Sequence, residues 1–272
     1  MAEARPAGPP PWLEGLTICG GAWVLLVSIP LALGGIGITW DGLNHHLYLG
    51  WTAQHQRFDR DVVAASYQVF QFPYANWPLY KLALSGVSGP VAGVFLASVQ
   101  WLAVPAVWMI ACRCIPGRDW FAAMFRAFAV VLAFSSGLVL SFFDSTINDL
   151  IACIPLMWAV AFSLPIPKDD GQTCSPGLRF VALAGLLAGA SVALKLSNGP
   201  VAAALPVIWS FGAGAVASRW RTMAVGIVAT GLGFTMSYSY WGWLLWEYAG
   251  NPVYPFCNAC FQPVRDLLGW KP

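Results

Sequence analysis

The chain has 272 residues, 58% of them hydrophobic and only 10% charged, with a mean hydropathy of +0.64. That balance excludes an ordinary soluble domain and leaves room for several bilayer crossings of about 20 residues each. A net charge of +2, with no Lys/Arg stripe interleaved with aromatics, gives no electrostatic case for nucleic acid as a partner.

In chain order, residues 1–15 are rich in Pro and Ala and read as a short cytoplasmic tail. Leu16 to Ile38 is an apolar run of span length. It is too long for a signal-peptide core and lacks a small-x-small exit before Trp40, so it reads as a first span. Residues 39–84 form a long first outer loop, and Ser85 to Ala111 is apolar again. Trp120 to Ser141, Leu150 to Leu164, Leu178 to Leu194, Val201 to Ala217 and Thr222 to Leu245 complete the set. The whole of 1–272 therefore reads as one all-α membrane domain of about seven transmembrane helices, with 247–272 as an outer C-terminal tail.

The connections separate by charge. Arg113, Arg118, Arg126, Lys168, Arg179, Arg219 and Arg221 fall on one face, which places the N-terminus inside by the retention of Lys and Arg on the cytoplasmic side. Fifteen tryptophans and eight tyrosines suit many membrane interfaces. Cys19, Cys112, Cys114 and Cys153, in or beside spans, read as small apolar fillers. Cys257 and Cys260 have CxxC spacing, which allows a disulfide or redox pair, and no second pair or His cluster accompanies them to support zinc.

Polar chemistry is concentrated between Thr39 and Lys81, which holds all three histidines and three of the twelve acids. Asp41 leaves the first span within about one helical turn of the bilayer boundary, where a carboxylate is costly unless it meets water or a cation. The bland reading is an acid that merely ends a span. Leu43, Leu47, Trp51 and Phe58 recur at helical spacing, with His45, Gln54, Arg57 and Asp61 on other faces. They predict an amphipathic helix lying at headgroup depth.

Asp59-Arg60-Asp61 has the DxD spacing of a divalent-cation site, the one cofactor the sequence raises, but Arg60 between the acids opposes it. His45 and His46, about 100° apart on a helix, make a poor bidentate pair, so no metal ligand is assigned. Lys195, at the end of a span and before Ser197-Asn198-Gly199-Pro200, either snorkels to the interface or neutralises a lipid phosphate. Asp144, Asn148 and Asp149 fall on the same outer face.

These residues resemble the GT-C class of polytopic glycosyltransferases, which move sugars from polyprenyl-phosphate carriers to acceptors outside the membrane. Trp40-Asp41-Gly42 at the start of a long first outer loop, the closing Asn76-Trp77-Pro78-Leu79-Tyr80 and the acidic turn Asp144 to Asp149 carry the resemblance, with Gly189 to Lys195 in a later span. The stretch Gly250 to Asn258 is similar to a tail of bacterial multi-span members. The resemblance implies a bacterial inner-membrane enzyme with a polyprenyl-phosphate-linked sugar as donor and a lipid, glycan or protein as acceptor, in contact with membrane lipids.

By the same resemblance Asp41 is the general base, and Asp144 or Asp149 helps hold donor or acceptor. Lys195, with Arg57 or Lys81, binds the carrier phosphate, and His45 and Asn148 contribute to substrate binding. No Lys precedes Pro78, where some members of the class have one. Members of the class usually continue into further spans, so a short enzyme or a truncated relative is expected. The alternative is a non-catalytic subunit that keeps a groove for the lipid carrier or a partner protein. A transporter would need mid-membrane ionisable groups or paired repeats, which the sequence does not clearly show.

Overall fold

The computed structural model describes residues 8–37, 39–61, 65–167, 173–211 and 216–270. Ile38, expected to end the first span, and the loop residues Lys168, Asp169 and Asp170 lie outside the described residues. The chain is mostly helical, as expected.

Helix α1 spans Pro11–Leu33, starting and ending about five residues earlier than the hydropathy alone suggests. Pro11 sits where a missing N–H costs nothing, and Gly34, at φ 83°, takes the left-handed cap that lets its N–H close onto the Pro30 carbonyl. After α1 come α2 (Leu47–Thr52) and α3 (Trp77–Leu84), both short and both in the first loop.

The second apolar stretch is two helices, α4 (Gly89–Trp101) and α5 (Ala103–Cys114). Pro105 has no N–H to give the preceding turn, which accounts for the break at Leu102. The third stretch also divides, into α6 (Trp120–Phe134) and the single turn α7 (Gly137–Leu140), each started by a side-chain cap, Asp119 on Ala122 N–H and Ser136 on Val139 N–H. Then follow α8 (Asp149–Ser163), a two-residue antiparallel pair β1 (Ile166–Pro167) and β2 (Thr173–Cys174), α9 (Leu178–Leu194), α10 (Gly199–Ser210), α11 (Val216–Ala249) and α12 (Gln262–Leu268).

Contacts at the ends show that α1, α4–α5, α6–α7, α8, α9, α10 and α11 run alternately between two ends of one bundle. At one end Glu14 of α1 meets Arg126 of α6, and Trp209 of α10 donates to Ser163 of α8. At the other, Gly37 N–H reaches the Asp144 carbonyl, and Lys195 after α9 meets Asp149 of α8. The polar first loop, the 144–149 turn, the α9–α10 junction and the C-terminal tail all gather at this second end.

Pro11–Leu33 and the α4–α5 stretch Gly89–Cys114 are each long and apolar enough to cross a membrane. In α1 only 17% of the most apolar window is buried, unlike the core helix of a soluble protein. Helices α6, α8 and α9 are apolar but shorter.

Helices α9 and α11 make the most extensive pairing, and glycine makes it possible. A methyl at Gly189 would strike the backbone of Thr230, one at Gly233 the backbone of Leu186, and one at Gly185 would lie 2.5 Å from the Gly226 carbonyl. Small residues at four-residue spacing let two backbones approach in this way. Polar glue crosses the neighbouring contact: Ser191 Oγ donates to the Ala152 carbonyl at 2.6 Å, and Asn198 Nδ2 bonds Ser191 Oγ at 2.8 Å.

Away from that interface, Glu14 and Arg126 form a two-toothed ion pair at 2.6 Å, both side chains at most 7% exposed. Trp108 Nε1 and the carbonyls of Ile115 and Gly117 take up their remaining valences. Arg126 is thus a buried cross-brace rather than a charge on a basic turn.

Candidate functional site

The site begins where the chain leaves α1. Thr39 Oγ1 accepts the Gly42 N–H at 3.0 Å, capping the helical segment that starts at Trp40. From Gly42 to His46 that segment is wound as a π-helix before tightening into α2. Such widened turns are frequent at functional sites. Here it buries the adjacent His45 and His46 together, their ring centroids 4.4 Å apart.

The expected amphipathic helix is cut short, because helical winding ends at Thr52, before Phe58. Leu43 is 71% exposed, whereas His45, His46 and Leu49 face the protein and Phe58 packs into an aromatic cluster with Trp241 and Tyr248. The π-turn shifts the helical register and turns His45 and His46 inward.

Asp41 stands at the edge of this pair. Its carboxylate is 47% exposed and lies 3.8 Å from His45 Nδ1, which is buried and has no hydrogen-bond partner among the described residues. Burial pushes His45 below the usual histidine range, although the Asp41 charge opposes it. His46 is lowered to about 4, by burial first and by the neighbouring His45 second. Both rings are therefore neutral at pH 7.

His46 Nδ1 meets Thr146 Oγ1 at 2.9 Å, and Thr146 Oγ1 lies 3.4 Å from Thr39 Oγ1. A Cβ at position 42 would lie 2.7 Å from Thr146 Oγ1, so any larger residue there has to displace that hydroxyl. The charges of Asp41, Asp149 and Lys195 all act on His46, which places the three in one electrostatic neighbourhood.

Asp149 opens α8, where a carboxylate is favourable against the helix dipole. It accepts a 2.6 Å bond from Lys195 Nζ, with side chains 49% and 33% exposed. At that exposure the pair contributes about 0.2–1 kcal/mol. Asn148 Nδ2 reaches Asn76 Oδ1 at 3.3 Å, tying the 144–149 turn to the end of the first loop. One turn into α8, Cys153 Sγ rests on Asn198 Oδ1 at 3.4 Å, beneath the ion pair.

Lys195 and Asn148 also line a cavity of about 150 Å³ whose walls include Phe70, Phe72, Tyr238 and Tyr254. Phe72 stacks on Tyr238 at 5.7 Å, Phe70 meets Tyr254 edge-on at 4.6 Å, and Trp241 Nε1 donates to the Phe70 carbonyl, fixing the loop on α11. A cation and an amide at the rim of an aromatic cavity can hold an anionic group joined to an apolar chain or to a sugar face.

No protein-family model, curated protein or solved structure matches this chain.

Other residues singled out in the sequence lie elsewhere. Asp144 binds the α1 exit through its carbonyl, which accepts from Gly37, and does not line the aromatic cavity. Arg57 is held by Asp61 at 2.9 Å over the Trp51 ring, and Lys81 lies exposed over Trp77 and Tyr80; neither lines the cavity. In the DxD triplet Asp59 pairs with Arg60 and Asp61 with Arg57, so the two acids are not paired on a cation site. Among the described residues no group of three or more His, Cys, Asp or Glu is arranged to hold a metal ion.

Cys257 and Cys260 form a disulfide just after the cavity-lining Tyr254 and Phe256. Buried Arg265 braces that loop through Asn258 Oδ1 at 2.9 Å. The sequence reading missed Thr146, His46 and the aromatic walls. Aromatics abound throughout this chain, so nothing in their spacing marks the few that meet.

Proposed function

We propose that the chain is an integral membrane glycosyltransferase that moves a sugar from a polyprenyl-phosphate carrier to an acceptor at the loop-rich end of the bundle, facing out of the cell. The observation that carries this reading is Lys195 on the wall of the aromatic cavity and bonded to Asp149, with Asp41 beside His45 at the same end of the bundle.

Asp41, half-exposed, takes the proton of the acceptor hydroxyl as that oxygen attacks the anomeric carbon. The carbon–oxygen bond to the carrier phosphate breaks, and Lys195 stabilises the charge that collects on the departing phosphate. Asn148, which lines the same cavity, hydrogen-bonds donor or carrier. Neutral His45 and His46 fill the space behind Asp41 without competing for its charge.

Membrane embedding is supported by the two span-length helices and by the outward side chains Leu16, Leu25, Phe128, Val131 and Met236. The arginine-bearing turns at the end opposite the site support an inner-membrane protein with its N-terminus inside. A disulfide at the site end agrees with an oxidising compartment.

A second reading, a non-catalytic subunit that binds the lipid carrier, draws on one fact: Asp41 is not among the residues lining the cavity. Complementing a deletion strain separates the two. Wild-type protein restores the glycan lost in the deletion and clears the accumulated carrier-linked sugar, and Asp41→Asn at equal protein level does neither. Restoration by Asp41→Asn selects the subunit reading.

A further inference from the structure

We infer that the Asp149–Lys195 ion pair is a latch on the phosphate site, so that Asp149 sets selectivity for a phosphate ligand and is not a catalytic acid. This rests on the lipid-phosphate reading of the cavity given above, and it assigns Asp149 a part opposite to holding the donor. Lys195 lines the cavity and Asp149 does not, yet Asp149 Oδ1 accepts from Lys195 Nζ at 2.6 Å. Without ligand, the one cation on the cavity wall among the described residues is already neutralised from outside by a carboxylate.

The geometry makes that contact exchangeable. The Lys195 backbone is fixed by its N–H to the Ser191 carbonyl at 3.0 Å, and the following turn is fixed by Asn198 on Ser191 and Ala152. Only the flexible four-carbon stem has to swing. With both side chains a third to a half exposed, the pair is screened and weak. The carrier phosphate left after transfer is a monoester with a charge of about −1.5 to −2 and three acceptor oxygens, so it outcompetes a single carboxylate. A carboxylate ligand, or a neutral prenyl alcohol, offers Lys195 nothing that Asp149 does not already supply. The exchange is non-covalent, and the released Asp149 turns to water at the α8 N-terminus.

Binding of a prenyl monophosphate to the full chain tests this, in vesicles of zwitterionic lipid, with the matching prenyl alcohol and inorganic phosphate as separate arms. Asp149→Asn is expected to bind the prenyl phosphate about two- to fivefold tighter than wild type, the size set by removing one exposed competing ion pair. Lys195→Gln is expected to lose binding, and the alcohol arm should not respond to either change. Asp149→Ser, which keeps a polar residue in the first turn of α8, should match Asp149→Asn and guards against a folding defect in one variant.

If wild type binds and both Asp149 variants bind equally or more weakly, the latch is overturned while the lipid-phosphate reading stands. If inorganic phosphate alone shows the expected order, the latch holds and the prenyl part of the reading falls. Absence of binding to every form, in both phosphate arms, overturns both.

Discussion

His46 Nδ1 and Thr146 Oγ1 lie 2.9 Å apart, joining the π-wound exit of α1 to the turn that precedes α8. This hydrogen bond between residues a hundred positions apart joins the Gly37–Asp144 and Asn76–Asn148 links in setting where Asp41 stands relative to Asp149. Thr146→Val keeps the shape of the side chain but leaves a buried ring nitrogen unpaired, and should destabilise the protein by about 1–3 kcal/mol. Thermal unfolding in detergent reads this directly.

The same histidine gives a pH dependence. His46 takes its proton near 6.5 when unfolded and only near 4 in the folded protein. Between those values the unfolded chain holds the extra proton, so acidification from about 6.5 to about 4 lowers stability. Melting temperatures followed across that window should fall less steeply for His46→Gln than for wild type. Equal slopes would mean that His46 titrates normally in the folded state.

The α9–α11 contact predicts a separate lesion. Gly189→Val forces a branched side chain against the Thr230 backbone and should cost at least about 1–3 kcal/mol, because backbone cannot step aside as a rotamer can. A lowered melting temperature or loss of folded protein checks it. Normal stability would show that the helices do not meet at this glycine.

At the opposite end, Glu14→Gln leaves Arg126 buried beside a neutral amide and should destabilise by about 3–5 kcal/mol. Replacing both partners with apolar residues should recover much of that loss. Comparing the single and double variants in the same melt decides whether the brace acts as a pair.

Much of this architecture was legible in the sequence, because the apolar runs and the turns between them are dictated by composition and Pro/Gly punctuation. The α9 boundaries, Leu178 to Leu194, are read correctly from hydropathy and Lys195 alone. Helix α1 is misplaced because Pro11 and Gly34 override the hydropathy profile. The site was half legible. Asp41, Asp149, Lys195 and Asn148 stand out as polar residues in an apolar chain; Asn148 and Lys195 meet at one cavity and Asp149 meets Lys195, while Asp41 stands beside His45 and not on the cavity wall. Arg57 and Lys81 look equivalent in sequence, but a local acid and local rings capture them. Thr146 and the His45–His46 face depend on a π-turn and on packing between distant segments, which no local pattern encodes.

Orientation has its own test. Single cysteines at Gln54 and Arg219, in an otherwise cysteine-free background, should label with a membrane-impermeant reagent from outside only at Gln54. Labelling at Arg219 instead would turn the site to the cytoplasm and remove the polyprenyl carrier's outer-face role.

The most direct measurement is release of polyprenyl monophosphate from carrier-linked sugars, extracted from membranes together with the lipid and glycan acceptors and reconstituted with purified protein in vesicles. Wild type should release it steadily, and neither Asp41→Asn nor Lys195→Gln should release any, with all three proteins folded. Release by Asp41→Asn at the wild-type rate would contradict the role of Asp41 as the base.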